Sequence, residues 1–179
     1  MIPSLQAQRV TLSPFCIDDA FLVQRYAGDP EVARTTLHVP HPYLDGEAEK
    51  WIASHPQQYL ERKNVVFAIR SHTGELYGAI NIRLRMNNQT GELGYWIGVP
   101  YWNKGYCTEA ARRMIQFAFE DLGLNKIYGR HLGGNMASGR VMEKAGMKNE
   151  RILRRHIMKN GVMMDIVEYG ILKSEYNNG

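Results

Sequence analysis

The residues richest in chemistry form one stretch, Gly94-Tyr-Trp-Ile-Gly-Val-Pro-Tyr-Trp-Asn-Lys-Gly-Tyr-Cys-Thr-Glu-Ala110. A β-rich run passes there through a glycine-bearing turn straight into an amphipathic helix. Such a turn offers free backbone N–H groups to an anion, and Lys104 adds charge. The helix dipole contributes about 0.3–1 kcal/mol to holding a phosphate at that point. The same residues also suit a plain turn at Gly105 with Thr108 as a cap. The phosphate loops G-x-x-x-x-G-K-[ST] and G-x-G-x-x-G are both missing, which argues against a P-loop or dinucleotide fold.

Other residues carry weaker signals. His38 and His41 have a spacing that binds metal on a helix, but Pro40 and Pro42 make the segment a loop, with no Cys or carboxylate cluster beside it. No metal is expected. Lys148, Arg151, Arg154, Arg155 and Lys159 form a basic run that reads as a solvated face rather than a nucleic-acid surface. Tyr95, Trp96, Tyr101 and Trp102 serve equally well to flank an acceptor or to pack a core. Cys16 and Cys107 make no CxxC pattern, so neither a zinc ribbon nor a disulfide framework is indicated and a reducing cytoplasm is the expected compartment.

These residues need elements to hold them. Arg9 to Ser13 alternates as a short strand, and Asp18 with Asp19 supplies N-cap chemistry for a helix through Ala27, after which Asp29-Pro30 opens a turn. Gly46 to Arg62 is helical in pattern, with Pro56 predicted to break or kink it into two short helices. Val65 to Arg70, Tyr77 to Met86 and Glu92 to Val99 read as an antiparallel meander. Thr108 to Leu122 has the clearest helical period, ending at Gly123. Lys126 to His131 follows as a strand and Ala137 to Ala145 as a helix. Asn149 to Met158 and Met163 to Leu172 form a hairpin turning at Asn160-Gly161.

The chain of 179 residues carries 22 Lys and Arg against 18 Asp and Glu, with 44% apolar and 22% charged residues. That composition excludes a disordered, collagenous or disulfide-scaffold chain, and the length predicts a single domain over residues 1–179. The mild basic excess suits anionic ligands without choosing among them. Met1 to Gln8 lacks signal-peptide features and no apolar run is long enough to span a bilayer, so no membrane partner is expected.

The loop Trp102-Asn-Lys-Gly105-Tyr-Cys107 resembles the pyrophosphate loop of the GNAT superfamily of N-acetyltransferases, with Trp102 at its Gln/Arg position and Cys107 at its last small-residue position. The form Tyr-Trp-x-Lys-Gly-Tyr-x-Thr-Glu-Ala is similar to the branch of ribosomal-protein N-terminal (alanine/serine) acetyltransferases. Asn135-Met-Ala-Ser138-Gly-Arg-Val-Met-Glu143-Lys144-Ala-Gly146-Met147 resembles a second signature of that branch, with Met147 in place of an aromatic, and Glu92-Leu-Gly-Tyr-Trp-Ile precedes both.

The resemblance implies an α/β (α+β) GNAT fold: a mixed, mostly antiparallel central sheet flanked by helices, with strands 4 and 5 splayed to admit acetyl-CoA. It implies that Ile97, Gly98 and Val99 supply main-chain partners for the cofactor. Lys104, Gly105, Tyr106, Cys107 and Thr108 would hold the pyrophosphate, and Asn135 would meet the pantetheine. Where many members carry a tyrosine acid this sequence has Met142, which leaves Ser138 as the hydroxyl near the sulfur. Glu92 is the best-placed carboxylate for a general base. The implied reaction moves acetyl to a primary amine, and proton arithmetic favours a protein or peptide N-terminus. A polyamine or antibiotic amine and a non-catalytic acyl-CoA-binding module stand as alternatives, as do a monomer and a homodimer.

Overall fold

Strand alternation and turn chemistry lay out an 8-stranded sheet, seen in a computed structural model that describes residues 1–177. Its strands are β1 (Leu5–Gln6), β2 (Thr11–Ser13), β3 (Asn64–Arg70), β4 (Leu76–Arg85), β5 (Thr90–Ile97), β6 (Lys126–Leu132), β7 (Lys148–Lys159) and β8 (Val162–Leu172). The helices are α1 (Ala20–Ala27), α2 (Pro30–Thr35), α3 (Glu47–Leu60), α4 (Tyr106–Glu120), α5 (Met136–Lys144) and α6 (Lys173–Asn177). In space the strands run β1-β2-β3-β4-β5-β6-β8-β7, and every neighbouring pair is antiparallel except β5 with β6.

Side chains alternate across each strand, so the sheet has two differently covered faces. Leu93, Ile97 and Ile127 pack with Ala111, Met114, Ile115 and Ala118 of α4 and with Met142 of α5. Ala68, Ala79 and Trp96 face the other way, into a second cluster with Val23, Val32, Ala48 and Ile52 of α1 to α3. Among the described residues no helix is long and apolar enough to cross a membrane.

The parallel contact between β5 and β6 is short. It runs from Thr90 opposite Lys126 to Leu93 opposite Gly129 and stops. Beyond that point β5 stays paired with β4 as far as Ile97 opposite Gly78, while β6 stays paired with β8 as far as Leu132 opposite Ile166. Each strand follows its antiparallel neighbour, and the two part. This is the expected splay; it falls between the fifth and sixth strands because the two-residue β1 precedes the rest.

The hairpin turn is as expected, with Asn160 at φ 49° and Gly161 at φ 77°, both in the left-handed region that a type I′ turn requires. Pro56 breaks nothing: α3 is a single helix with the proline inside it. The ring forfeits one backbone bond, but Ala48, Ile52 and His55 bury a continuous face, and Ser54 Oγ donates to the Trp51 carbonyl at 2.6 Å. Asp29 does more than open a turn, because its carboxylate accepts from Glu31 N–H (2.8 Å) and caps α2. Asp18 and Asp19 close a 3-10 turn ahead of α1, where Asp19 accepts from Cys16 N–H (2.8 Å) and pairs with Arg70.

Candidate active site

Where β5 and β6 part, a cavity of about 1040 Å³ opens between the two helical layers. Its walls include Glu92, Ile97, Cys107, Thr108, Asn135 and Ser138, six of the residues singled out from sequence. Lys104, Gly105 and Tyr106 are not in its walls, but they join Asn103 to Cys107, which are.

The turn into α4 has the form an anion site needs. Gly105 stands at the N-cap with φ 80°, a conformation in which a Cβ is strained, and no side chain caps the helix. Among the described residues the first-turn N–H groups of Tyr106, Cys107 and Thr108 have no hydrogen-bond partner. The turn is held from outside. Arg9 donates to the Lys104 carbonyl (3.0 Å) and to Glu109 (2.9 Å), and it lies over the Tyr106 ring, which stacks on Tyr77 with centroids 4.4 Å apart. The Tyr106 ring is therefore engaged within the protein, and only its main-chain N–H is without a partner. Trp102, which departs from the family's Gln/Arg, donates its indole N–H to the Ile97 carbonyl at 2.7 Å and fixes the exit of β5.

Gly98, expected to offer main-chain groups to the cofactor, has none free. Its N–H donates to Tyr77 O and its carbonyl accepts from Tyr101 N–H, both at 2.9 Å. The Val99 carbonyl is also taken, by Trp102 N–H at 3.2 Å. An antiparallel ladder turns alternate residues to opposite edges, so β4 takes the main chain of Trp96 and Gly98 while that of Tyr95 and Ile97 faces the gap. Among the described residues the N–H groups of Ile97 and Val99 have no partner, while the Ile97 carbonyl is held by the Trp102 indole, so Tyr95 adds main-chain groups to the edge on which Ile97, Gly98 and Val99 were expected.

The hydroxyl of Tyr95 also reaches α5. It donates to the Ser138 carbonyl (3.0 Å) and lies 2.9 Å from Ser138 Oγ. Burial pushes the Tyr95 phenol well up, so it stays protonated as a hydrogen-bonding group. Burial also raises the Cys107 thiol, which leaves it a neutral wall residue. Met142 is buried beneath Gly129 and belongs to the core, with no proton to give. Asn135 has both ends of its amide engaged: Oδ1 accepts from Ser138 N–H (3.2 Å) and Nδ2 donates to the Thr35 carbonyl (3.1 Å), tying α5 to the end of α2.

Glu92 lies on the opposite face from Tyr95, level with Arg83 of β4 and Tyr128 of β6. It is the sole carboxylate lining the cavity among the described residues. His38 is held below the ordinary imidazole range, chiefly by burial and next by the Arg83 charge, with Glu92 opposing. Lys159 reaches from the β7–β8 hairpin to the Ala33 and Thr36 carbonyls at the end of α2, and burial lowers its ammonium. Much of the basic run is thus engaged within the chain, with Lys148 on Glu175 and Arg151 on Glu168. Among the described residues no group of three or more His, Cys, Asp or Glu side chains could hold a metal ion.

The short stretch of β5 edge beyond Leu93, an uncapped helix start and the cavity between them make a site for an extended ligand with a phosphate end. A family profile described as "Acetyltransferase (GNAT) domain" matches residues 9–148. The chain belongs to the GNAT acetyltransferase family. It is an acetyl-CoA-dependent N-acetyltransferase. The N-acetyltransferase p20 of Bacillus licheniformis is 27% identical over 175 residues, covering 97% of this chain and 98% of that one. YdaF of Bacillus subtilis, which carries the name of a ribosomal N-acetyltransferase, is 37% identical over 106 residues, covering 59% and 58% of the two chains. The crystal structure of a GNAT acetyltransferase from Bacillus anthracis superposes with a TM-score of 0.85 at 25% identity, covering 96% of this chain and 99% of that one.

The residues present fit acetyl-CoA. The main chain of Tyr95 and the N–H groups of Ile97 and Val99 suit an amide-bearing pantetheine, and the N–H groups of residues 106–108 suit its pyrophosphate. Two features of this site escaped sequence reasoning. The Tyr95–Ser138 contact joins residues on different elements and leaves no periodic trace. The Arg9–Glu109 staple joins residues a hundred positions apart; its one signal was the Thr-Glu-Ala run in which Glu109 sits.

Proposed function

We propose that this acetyltransferase acetylates the α-amine of a protein or peptide N-terminus, with the whole chain acting as one domain. The observation that carries the reading is the arrangement of one carboxylate, Glu92, and one hydroxyl pair, Tyr95 with Ser138, on opposite faces of the gap between β5 and β6. Acetyl-CoA, when bound there, supplies a thioester carbonyl for attack by an amine.

Glu92 draws the proton from the incoming ammonium through water, freeing the nitrogen lone pair. The strand amides of Ile97 and Val99 are the donors left for charge growing on the carbonyl oxygen, since the Gly98 amide is spent on Tyr77. Ser138 Oγ gives the departing sulfur a hydrogen bond. A thiol of pKa about 8.5 leaves readily enough that no stronger acid is needed. Orientation in the cleft contributes several kcal/mol more, up to roughly 7–11 in ideal cases.

The single carboxylate supports an α-amine as acceptor. An α-amine near pKa 8 costs about 1.4 kcal/mol to deprotonate at pH 7, whereas a lysine amine near 10.4 costs about 4.6. The likeness to YdaF points the same way. The test is acetyl-CoA turnover, read as released thiol, on peptides with free N-termini against N-terminally blocked peptides with an internal lysine. Free N-termini are expected to be faster, and equal or better turnover on blocked lysine peptides overturns the reading.

A further inference from the structure

The half of the cavity that faces away from α4 and α5 has an unbalanced charge. Among the described residues Glu92 is its one carboxylate, while Arg83 of β4, Arg130 of β6 and Lys159 of the hairpin all face the same space, with Arg34 of α2, paired to Glu31, at its wall. Arg83 and Glu92 stand directly opposite each other in the β4–β5 register, which puts their Cβ atoms roughly 4.5–5.5 Å apart on one face. Yet among the described residues Arg83 makes no ion pair and no hydrogen bond; its guanidinium is exposed at the cavity wall. The other cations are occupied. Arg130 donates to Glu168 at 2.7 Å, and Lys159 is spent on the α2 carbonyls. Arg140 and Lys144 line the cavity from α5, the helix that packs on the other face of the sheet.

Resting on the α-amine reading above, we infer that the preferred acceptor carries an anionic group close to its amine: an acidic side chain within the first residues of a peptide, received by Arg83 while Glu92 receives the amine. The two heads are side by side and free of each other. A ligand with one positive and one negative group a few ångströms apart satisfies both, and the amino group of a peptide with a carboxylate on its first or second residue has that spacing. A polyamine places a second ammonium against Arg83, Arg130 and Lys159, with no second carboxylate to meet it. Opposite-charge contacts at partly exposed sites are individually modest, but exchanging an attraction for a repulsion doubles the difference, so roughly tenfold in kcat/KM is expected between acidic and basic second residues.

The experiment compares peptides differing only at the second residue, Ser-Glu, Ser-Ala and Ser-Lys, together with spermidine, free glutamate and an N-acetylated acidic peptide bearing an internal lysine. Expected is the order acidic, neutral, basic, with spermidine lowest. The order should flatten in Arg83→Gln and reverse in Arg83→Glu, while calorimetric CoA affinity shows that each variant is folded. Equal rates for the three peptides, or an order untouched by Arg83→Glu, overturn the inference and leave the α-amine reading standing. Turnover of the blocked lysine peptide that equals or exceeds that of the Ser-Glu peptide overturns the α-amine reading, and the order of the three free peptides then still decides the charge preference. Free glutamate matching the acidic peptide overturns the peptide as the source of the anionic group.

Discussion

His55 sits on α3 with 3% of its surface exposed, wedged between the rings of Trp51 and Phe15 at centroid distances of 4.4 and 5.7 Å. Neither ring nitrogen has a hydrogen-bond partner among the described residues, and burial lowers its pKa from 6.5 to about 4. The folded state therefore refuses a proton that the unfolded state accepts. Stability is lost as pH falls below the unfolded value and levels off near the folded one. With those two values the cost attributable to His55 is about 0.2 kcal/mol at pH 7 and about 2 kcal/mol at pH 5. For a chain of this size each kcal/mol moves the melting temperature by roughly 2–4 °C. Replacing His55 by Leu removes the titration and the unpaired nitrogens together. Melts or urea titrations of wild type and His55→Leu at the two pH values should show the variant gaining about 2 kcal/mol relative to wild type on acidification. Carboxylates such as Asp19, Glu109 and Glu168, all held low by their cations against the cost of burial, titrate in both proteins and cancel. Parallel pH profiles for the two proteins would refute a buried, neutral His55.

Three changes probe the site itself. Gly105→Val forces a β-branched residue to φ 80° with its Cβ 3.1 Å from Arg9 Nη2; strain of about 1–3 kcal/mol should cost CoA at least tenfold in affinity by calorimetry, and unchanged affinity in a folded variant removes the loop from the site. Glu92→Gln should lower kcat by about 10²–10⁴ at neutral pH and recover as pH approaches that of the acceptor amine, whereas wild-type rates from about pH 6 to 9 exclude it as the base. Tyr95→Phe should cost roughly fivefold in kcat by freeing Ser138 Oγ from its partner, and the loss should vanish in a Ser138→Ala background; additive losses in the double variant mean that the two hydroxyls act separately.

The legible parts of this fold were those written in neighbouring residues. The period of Ala111, Ile115 and Ala118 marks α4, and Gly105 at its start and Gly123 beyond its end both adopt positive φ. Asn160-Gly161 marks the hairpin, and the meander follows from alternation. Pro56 misled because a local rule was set against a buried face. The lost backbone bond is one interaction, while the burial of Ala48, Ile52 and His55 is distributed along the whole of α3.

The splay had a different origin. Nothing within β5 or β6 says that they part after Leu93 and Gly129; that follows from what β4 and β8 do on their far sides. Once the strands part, the groups proposed for the chemistry sort by parity. Glu92 and Arg83 fall on one face, Tyr95 and Ile97 turn to the other face and to the gap, and α5 brings Ser138 to Tyr95 from beyond the end of β6. A one-residue shift in β5 would exchange those roles and bury Glu92 under α4. The antiparallel register with β4, closed by Gly98 on Tyr77 and Trp102 on Ile97, therefore holds the chemistry as much as the fold.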